Sequence, residues 1–135
     1  MLFMKDKYTF PAVFEREENQ YCVNFPDLGC ATFGDNLDEA MYMAKDLLEG
    51  YLWGLEDEGE KIPAATNPED VKVTKGQFVV PITAHMVDIR NEMMNKSVNK
   101  NVTLPRWLNK IAEENKINFS QVLQSAIKER LNIRN

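Results

Sequence analysis

Residues 97–131 read SVNKNVTLPRWLNKIAEENKINFSQVLQSAIKERL, and the spacing of apolar side chains changes within them from two to 3.6. From Ser97 to Leu104, Val98, Val102 and Leu104 alternate with Asn99, Asn101 and Thr103. That period predicts a single strand with one apolar face and one face of short hydrogen-bonding side chains. Lys100 falls on the apolar parity, where its long stem can carry the charge outward. Pro105 stops the strand and suits the first position of a helix whose apolar face is Leu108, Ile111 and Ala112. Glu114 to Ile117 ends that helix. Asn118 then caps a second one, with Gln121 three residues on to reciprocate, and its apolar face is Val122, Leu123, Ala126, Ile127 and Leu131.

A lone strand leaves a row of backbone donors and acceptors without partners. The simplest partner is the same strand of a second copy. About 40 residues are also too few to bury a sufficient core alone, so size and strand together predict an obligate dimer. Its core would be Val98, Val102, Leu104, Leu108, Ile111, Val122, Leu123 and Ile127. Two such strands paired about a twofold axis make a ribbon narrow enough for a DNA major groove. Asn99, Asn101 and Thr103 would then face the base edges, where Asn can bond adenine at two atoms and Thr can meet a thymine methyl. Lys96, Arg106 and Lys116 are candidate phosphate contacts. So are the free amides at the start of the last helix, around Asn118, Phe119 and Ser120.

The charges divide along the same line. Residues 1–90 hold 8 basic and 17 acidic side chains, a net charge of −9, whereas residues 91–135 hold 8 and 4, a net of +4. An acidic front and a basic tail predict two modules with different partners, the tail being the one for nucleic acid. At 135 residues, 44% hydrophobic and 27% charged, the chain falls in the globular range and not the disordered one.

The front alternates at period two in Tyr8–Phe14, Tyr21–Phe25, Cys30–Phe33 and Phe78–Thr83, predicting four strands. Pro11 and Pro81 should each sit where a strand has a free side or an edge. Between the third and fourth strands, Leu37, Ala40, Met41, Ala44, Leu47, Leu48, Tyr51, Leu52 and Leu55 fall on one helical face. Asn36 should cap that helix, with Glu39 reaching back to it. Gly50 and Gly54 predict an end near Gly54, or close packing there against something small. The fold class is thus α+β, an antiparallel-rich sheet with one helix followed by the strand-helix-helix tail. The expected division is 1–87, a connector at 88–95, and 96–135; His85–Asn95 has no clean period, and Met86, Met93 and Met94 fit either a short helix or a packed connector.

Chemistry-bearing residues are sparse. His85 has no neighbouring nucleophile or carboxylate at a recognisable spacing, and the chain has no glycine-rich phosphate loop or serine-centred elbow. Cys22 and Cys30 with one distant histidine are too few soft ligands for structural zinc, and they read as reduced thiols. Asp27, Asp35, Asp38 and Asp46 are the candidate carboxylates for a Mg²⁺ ion, yet each has an ordinary role in a turn, a helix start or a polar face. No cofactor is expected. The absence of a membrane-length apolar run and of a cleavable leader points to the cytoplasm.

Taken in order, these residues resemble two known families. Ser97–Leu131, with Val102-Thr103-Leu104-Pro105 leading into two helices, is similar to a ribbon-helix-helix DNA-binding domain. The front resembles HicB-type antitoxins through Phe10-Pro11, Phe25-Pro26-Asp27-Leu28-Gly29-Cys30, Phe33-Gly34-Asp35-Asn36-Leu37-Asp38-Glu39-Ala40 and Ile62-Pro63. Asn36 stands where that family usually has Thr or Ser, and Asn99 where many ribbon proteins carry Arg. The resemblance implies a degenerate ribonuclease-H-like front that binds a small HicA-type ribonuclease toxin. It also implies a homodimeric tail, with a tetramer as the alternative assembly, that represses the operon by binding operator DNA, with no catalysis. Two rivals differ in class: a metal-dependent nuclease using the front carboxylates, and a ribbon-helix-helix repressor with the front as a ligand sensor.

Overall fold

Pro11 and Pro81 face each other across the sheet of the first unit, and that pair sets the sheet's phase. The protein is described by a computed structural model covering residues 5–134, which divides into two units, Met1–Lys96 and Ser97–Asn135. In the first, strands β1 (Lys7–Glu17), β2 (Gln20–Phe25), β3 (Cys30–Gly34) and β4 (Gln77–His85) form an antiparallel sheet in the order β3-β2-β1-β4. Neither proline can donate, so Pro11 and Pro81 must form a non-hydrogen-bonded pair. Two neighbouring contacts agree with this phase: Thr9 and Thr83 bring their hydroxyls to 2.9 Å, and Met86 donates its amide to the Asp6 carbonyl at 2.8 Å. β4 is an edge strand, as Pro81 predicts. β1 is central, yet its ladder with β2 begins only at Val13, which leaves Pro11 the free side it requires.

β1 runs three residues past the expected Phe14. The reversal at Glu18-Asn19 is only two residues long, and Glu18 takes a φ of 50°, so Glu15, Arg16 and Glu17 pair with Cys22, Tyr21 and Gln20. A left-handed first residue suits the twist of a tight hairpin, at some cost for a side chain other than Gly or Asn.

Helix α1 (Leu37–Asp57) lies on one face of the sheet. Its buried stripe Ala40, Ala44, Leu48 and Leu52 repeats every four residues and meets Phe10, Ala12 and Phe14 of β1, Val23 and Phe25 of β2, and Ile82 and Ala84 of β4. Asn36 caps it, accepting from the Glu39 amide at 2.8 Å; the Glu39 carboxylate reaches one residue further back than expected, to the Asp35 amide at 3.2 Å. The close seating of this end explains Gly34. A Cβ there would fall 2.7 Å from the Cα of Ala40 and 2.8 Å from the carbonyl carbon of Glu39.

The helix does not end at Gly54, and nothing lies within 4 Å of where a Cβ on Gly50 or Gly54 would be, so neither expected alternative holds. Leu52 is buried, Trp53 and Leu55 pack on the core, and Glu56 has an ionic partner. Those contacts outweigh the roughly 1 kcal/mol that each glycine costs a helix.

Residues 86–95 form a second helix, α2 (Met86–Asn95), the short-helix alternative for that stretch. Met86 is fully buried, and Arg90 forks onto Glu56 at the end of α1, with Nε to Oε1 at 2.9 Å and Nη2 to Oε2 at 2.7 Å. The same guanidinium donates to the Lys5 carbonyl at 2.6 Å and approaches Asp6 at 3.4 Å. The stretch expected as a connector, 88–95, thus lies inside a helix tied to α1.

In the second unit the strand expected over Ser97–Leu104 is not formed, because no neighbouring segment supplies ladder bonds: residues 97–105 carry no helix and no ladder partner among the described residues. They lead into α3 (Arg106–Glu114) and α4 (Phe119–Leu131). Pro105 is the cap of α3 and not its first residue. The helix closes on Lys116, at φ 54°, with its amide bonded to Glu113 and that of Ile117 to Ala112. Asn132, at φ 57°, closes α4 in the same way. Both ends follow the 6→1 and 5→2 bonding that a left-handed residue permits.

Candidate functional site

Asn118 accepts from the Gln121 amide at 3.1 Å, as its place before an apolar helix requires, and this fixes where α4 begins. Phe119 and Ser120 are therefore in the first turn, where backbone amides lack helical partners and the dipole is positive. Lys116 stands two residues before the cap, in the left-handed turn. Arg106 is the first residue of α3, and its side chain shares a depression with Val102, Leu104, Asn109 and Phe119. Arg106 and the start of α4 are thus brought together. Asn99, Asn101 and Thr103 line no part of that depression and lie exposed in the segment before Pro105. Lys96 caps α2, its amide on the Met93 carbonyl at 3.3 Å, so it belongs to the first unit.

The apolar residues of this unit have an unusual disposition. Neither α3 nor α4 contains a buried residue, and Val98 (78% exposed), Val102, Leu104, Leu108, Ile111, Val122, Leu123 and Ile127 all stand open. Trp107 and Ile117 join them, and so does the Phe119 ring, which the sequence reading had valued only for its amide. The signal for Trp107 was present, one position before Leu108 and four before Ile111. A protein in water rarely exposes so contiguous an apolar surface unless something covers it.

The first unit has few chemically poised groups. The Asp27 carboxylate is occupied by Thr66, which donates its amide at 2.9 Å and its hydroxyl at 2.6 Å, binding the extended segment after Pro63 to the β2–β3 turn. No spacing rule joins residues 39 apart, so this lock was invisible in the sequence. Among the described residues no three His, Cys, Asp or Glu side chains converge as metal ligands. Burial pushes both thiols up, Cys22 helped by the Glu17 carboxylate 3.5 Å away, so both favour the protonated, unreactive form. The Arg90 guanidinium is held above its ordinary value, first by its hydrogen bonds to Glu56. Among the described residues no helix is long and apolar enough to cross a membrane.

Two solved structures share this fold along nearly the whole chain. A toxin-antitoxin complex from Streptococcus pneumoniae superposes with a TM-score of 0.62 at 22% identity, covering 92% of this chain and 99% of that one. The Burkholderia pseudomallei antitoxin HicB does so with a TM-score of 0.53 at 20% identity, over 92% and 96%. A 14.9 kDa protein of Haemophilus phage HP1, described as uncharacterised and placed in the rep-hol intergenic region, is 30% identical over 101 residues, 73% of this chain and 74% of its own length. The family described as "HicB_like antitoxin of bacterial toxin-antitoxin system" matches residues 10–127, running through the sheet, both front helices, α3 and most of α4. The match covers most of the chain and reaches into both units, and the chain belongs to the HicB-like antitoxin family of bacterial toxin-antitoxin systems.

Proposed function

We propose that this antitoxin acts without catalysis through two modules: the front, residues 1–87, binds and masks a small HicA-type ribonuclease toxin, and residues 96–135 form a dimeric ribbon-helix-helix that represses the operon. The carrying observation is the second unit's lack of any buried residue in α3 or α4. A second copy is the simplest cover, because it also supplies the ladder partner that residues 97–104 lack. In the paired state Val98, Val102 and Leu104 turn inward with the helix faces, and Asn99, Asn101 and Thr103 form the groove-facing surface. Lys96, Arg106, Lys116 and the amides near Asn118 then hold the phosphates on either side. The front, at −9, favours a basic partner, and a toxin that handles RNA has to be basic. In this reading the antiparallel sheet and its helix form a degenerate ribonuclease-H-like scaffold that binds the toxin in place of cutting RNA.

Titration of operator DNA tests the tail. Asn101→Ala should reduce the preference for operator over scrambled DNA by about 1–3 kcal/mol per lost base contact, and Lys116→Ala should weaken both DNAs alike. The second variant should also flatten the salt dependence by about one unit of slope per lost phosphate contact. Unchanged affinity and preference for Asn101→Ala would remove the ribbon as the reader.

A further inference from the structure

The two edges of the front sheet are treated differently by the sequence. β4 carries Pro81 at its middle, a common way to blunt an edge, while β3, Cys30-Ala31-Thr32-Phe33-Gly34, has no proline and no charged residue. The phase fixed by Pro11 and Pro81 propagates across the sheet. Even-numbered residues of β1 bond β4 and odd-numbered ones bond β2, so Gln20, Cys22 and Asn24 face β1 and Tyr21, Val23 and Phe25 bond Gly34, Thr32 and Cys30. The amides and carbonyls of Ala31 and Phe33 are what remains, and they point away from the sheet. β3 is the outer strand, so among the described residues no strand pairs on that side and no loop bond reaches these groups. The next outward amide, Asp35, is already taken by Glu39. The Phe33 side chain is 57% exposed on the sheet face opposite α1. Glu17, Glu18 and Asp35 line one cleft at the Gly34 end of the edge.

We propose that β3 is the docking edge for the partner protein, which adds a basic β-strand to the sheet there; this rests on the reading that the front binds a basic toxin. The incoming strand takes the two donors and two acceptors of Ala31 and Phe33 and covers the Phe33 ring. It sets lysine or arginine side chains against Glu17, Glu18 and Asp35. A second copy of this chain is the poorer occupant, because β3–β3 pairing would bring together two fronts of net charge −9.

Residue-resolved amide exchange on the full chain, alone and with a small basic HicA-type toxin protein in a catalytically inactive form, tests this. The amides of Ala31 and Phe33 should exchange fast in the free protein and become protected in the complex. That of Thr32, bonded to β2, should be slow in both. Phe33→Lys, at an exposed side chain, should weaken the complex by about tenfold or more while leaving Thr32 protected, and Ala31→Pro removes the outward donor without touching the β2 ladder. If the complex forms but Ala31 and Phe33 stay fast and both variants bind normally, the edge assignment is overturned and the antitoxin reading stands. If the two amides become protected with rising concentration of this chain alone, the occupant is a second copy and the proposal fails. If the wild-type chain does not bind the basic protein, the reading of the front falls and the edge assignment falls with it.

Discussion

Replacing Arg90 with Ala removes one guanidinium and orphans one carboxylate, and the second effect is the larger. The Glu56 side chain is only 8% exposed and the Arg90 side chain 21%, so the pair is largely withdrawn from water. Its geometry is the bidentate fork that fits a carboxylate. Breaking a buried ion pair by deleting one member costs about 3–5 kcal/mol, and the remaining exposure of Arg90 places Arg90→Ala near the lower end. About 3 kcal/mol corresponds to a fall in melting temperature of about 12–24 °C for a unit of this size.

The arithmetic differs for Glu56→Leu with Arg90→Leu. Both charges are gone and no carboxylate is left unpaired, while the lost contacts to the Lys5 carbonyl and Asp6 are with groups open to water, so the double variant should lie within about 1.5 kcal/mol of wild type. Urea unfolding at fixed protein concentration, followed by the signal of Trp53 in a Trp107→Phe background, reads the front unit alone. Exchange of the α2 amides detects whether that helix peels away so that Glu56 rehydrates. Loss of less than about 1 kcal/mol in Arg90→Ala with α2 protection unchanged would refute the reasoning, as would a double variant no more stable than the single one.

Glycine substitutions should divide by sign. Gly34→Ala should destabilise by about 1–3 kcal/mol, because the new methyl meets helix backbone that cannot yield, whereas Gly50→Ala and Gly54→Ala should each stabilise by about 1 kcal/mol; thermal unfolding compares them directly. Cys22 and Cys30 should alkylate with iodoacetamide at pH 8 more slowly than cysteine in an unfolded peptide, since a raised thiol pKa leaves less thiolate at that pH. The deficit should close as pH rises and vanish in urea. Ile111→Asp or Val122→Asp should make the chain sediment as a monomer and lower tail helicity while the front unit melts unchanged, and a dimer that persists in both would contradict the proposed cover.

Much of the fold was legible because local rules carried it. Alternation located all four strands of the front, the helical spacing of apolar residues from Leu37 to Leu55 located α1, and Asn36 and Asn118 marked helix starts that their side chains do cap. The edge position of β4 followed from a missing proline donor. What was misread has a common cause. The end of α1 was placed too early because glycine propensity was visible and the packing of Leu52, Trp53 and Leu55 was not. Residues 88–95 were expected as a connector, with a short helix as the alternative, because α2 is short and weakly periodic, held by a buried Met86 and by an arginine whose carboxylate partner lies 34 residues upstream.

For the candidate site, the sequence by itself determined which residues are available: an alternating Asn-Asn-Thr face, basic side chains near a helix start, and an acidic front. Only the tertiary structure decided which groups are already spent and which are free. Asp27 is bound by Thr66 and Asp35's amide by Glu39, whereas the backbone of Ala31 and Phe33 and the apolar faces of α3 and α4 have no partner among the described residues. The physical reason is range. Helix caps, turn residues and side-chain period act within a few positions and can be read along the chain. Strand order, ion pairs and the satisfaction of a hydrogen bond join residues tens of positions apart, and they exist only once the chain has folded.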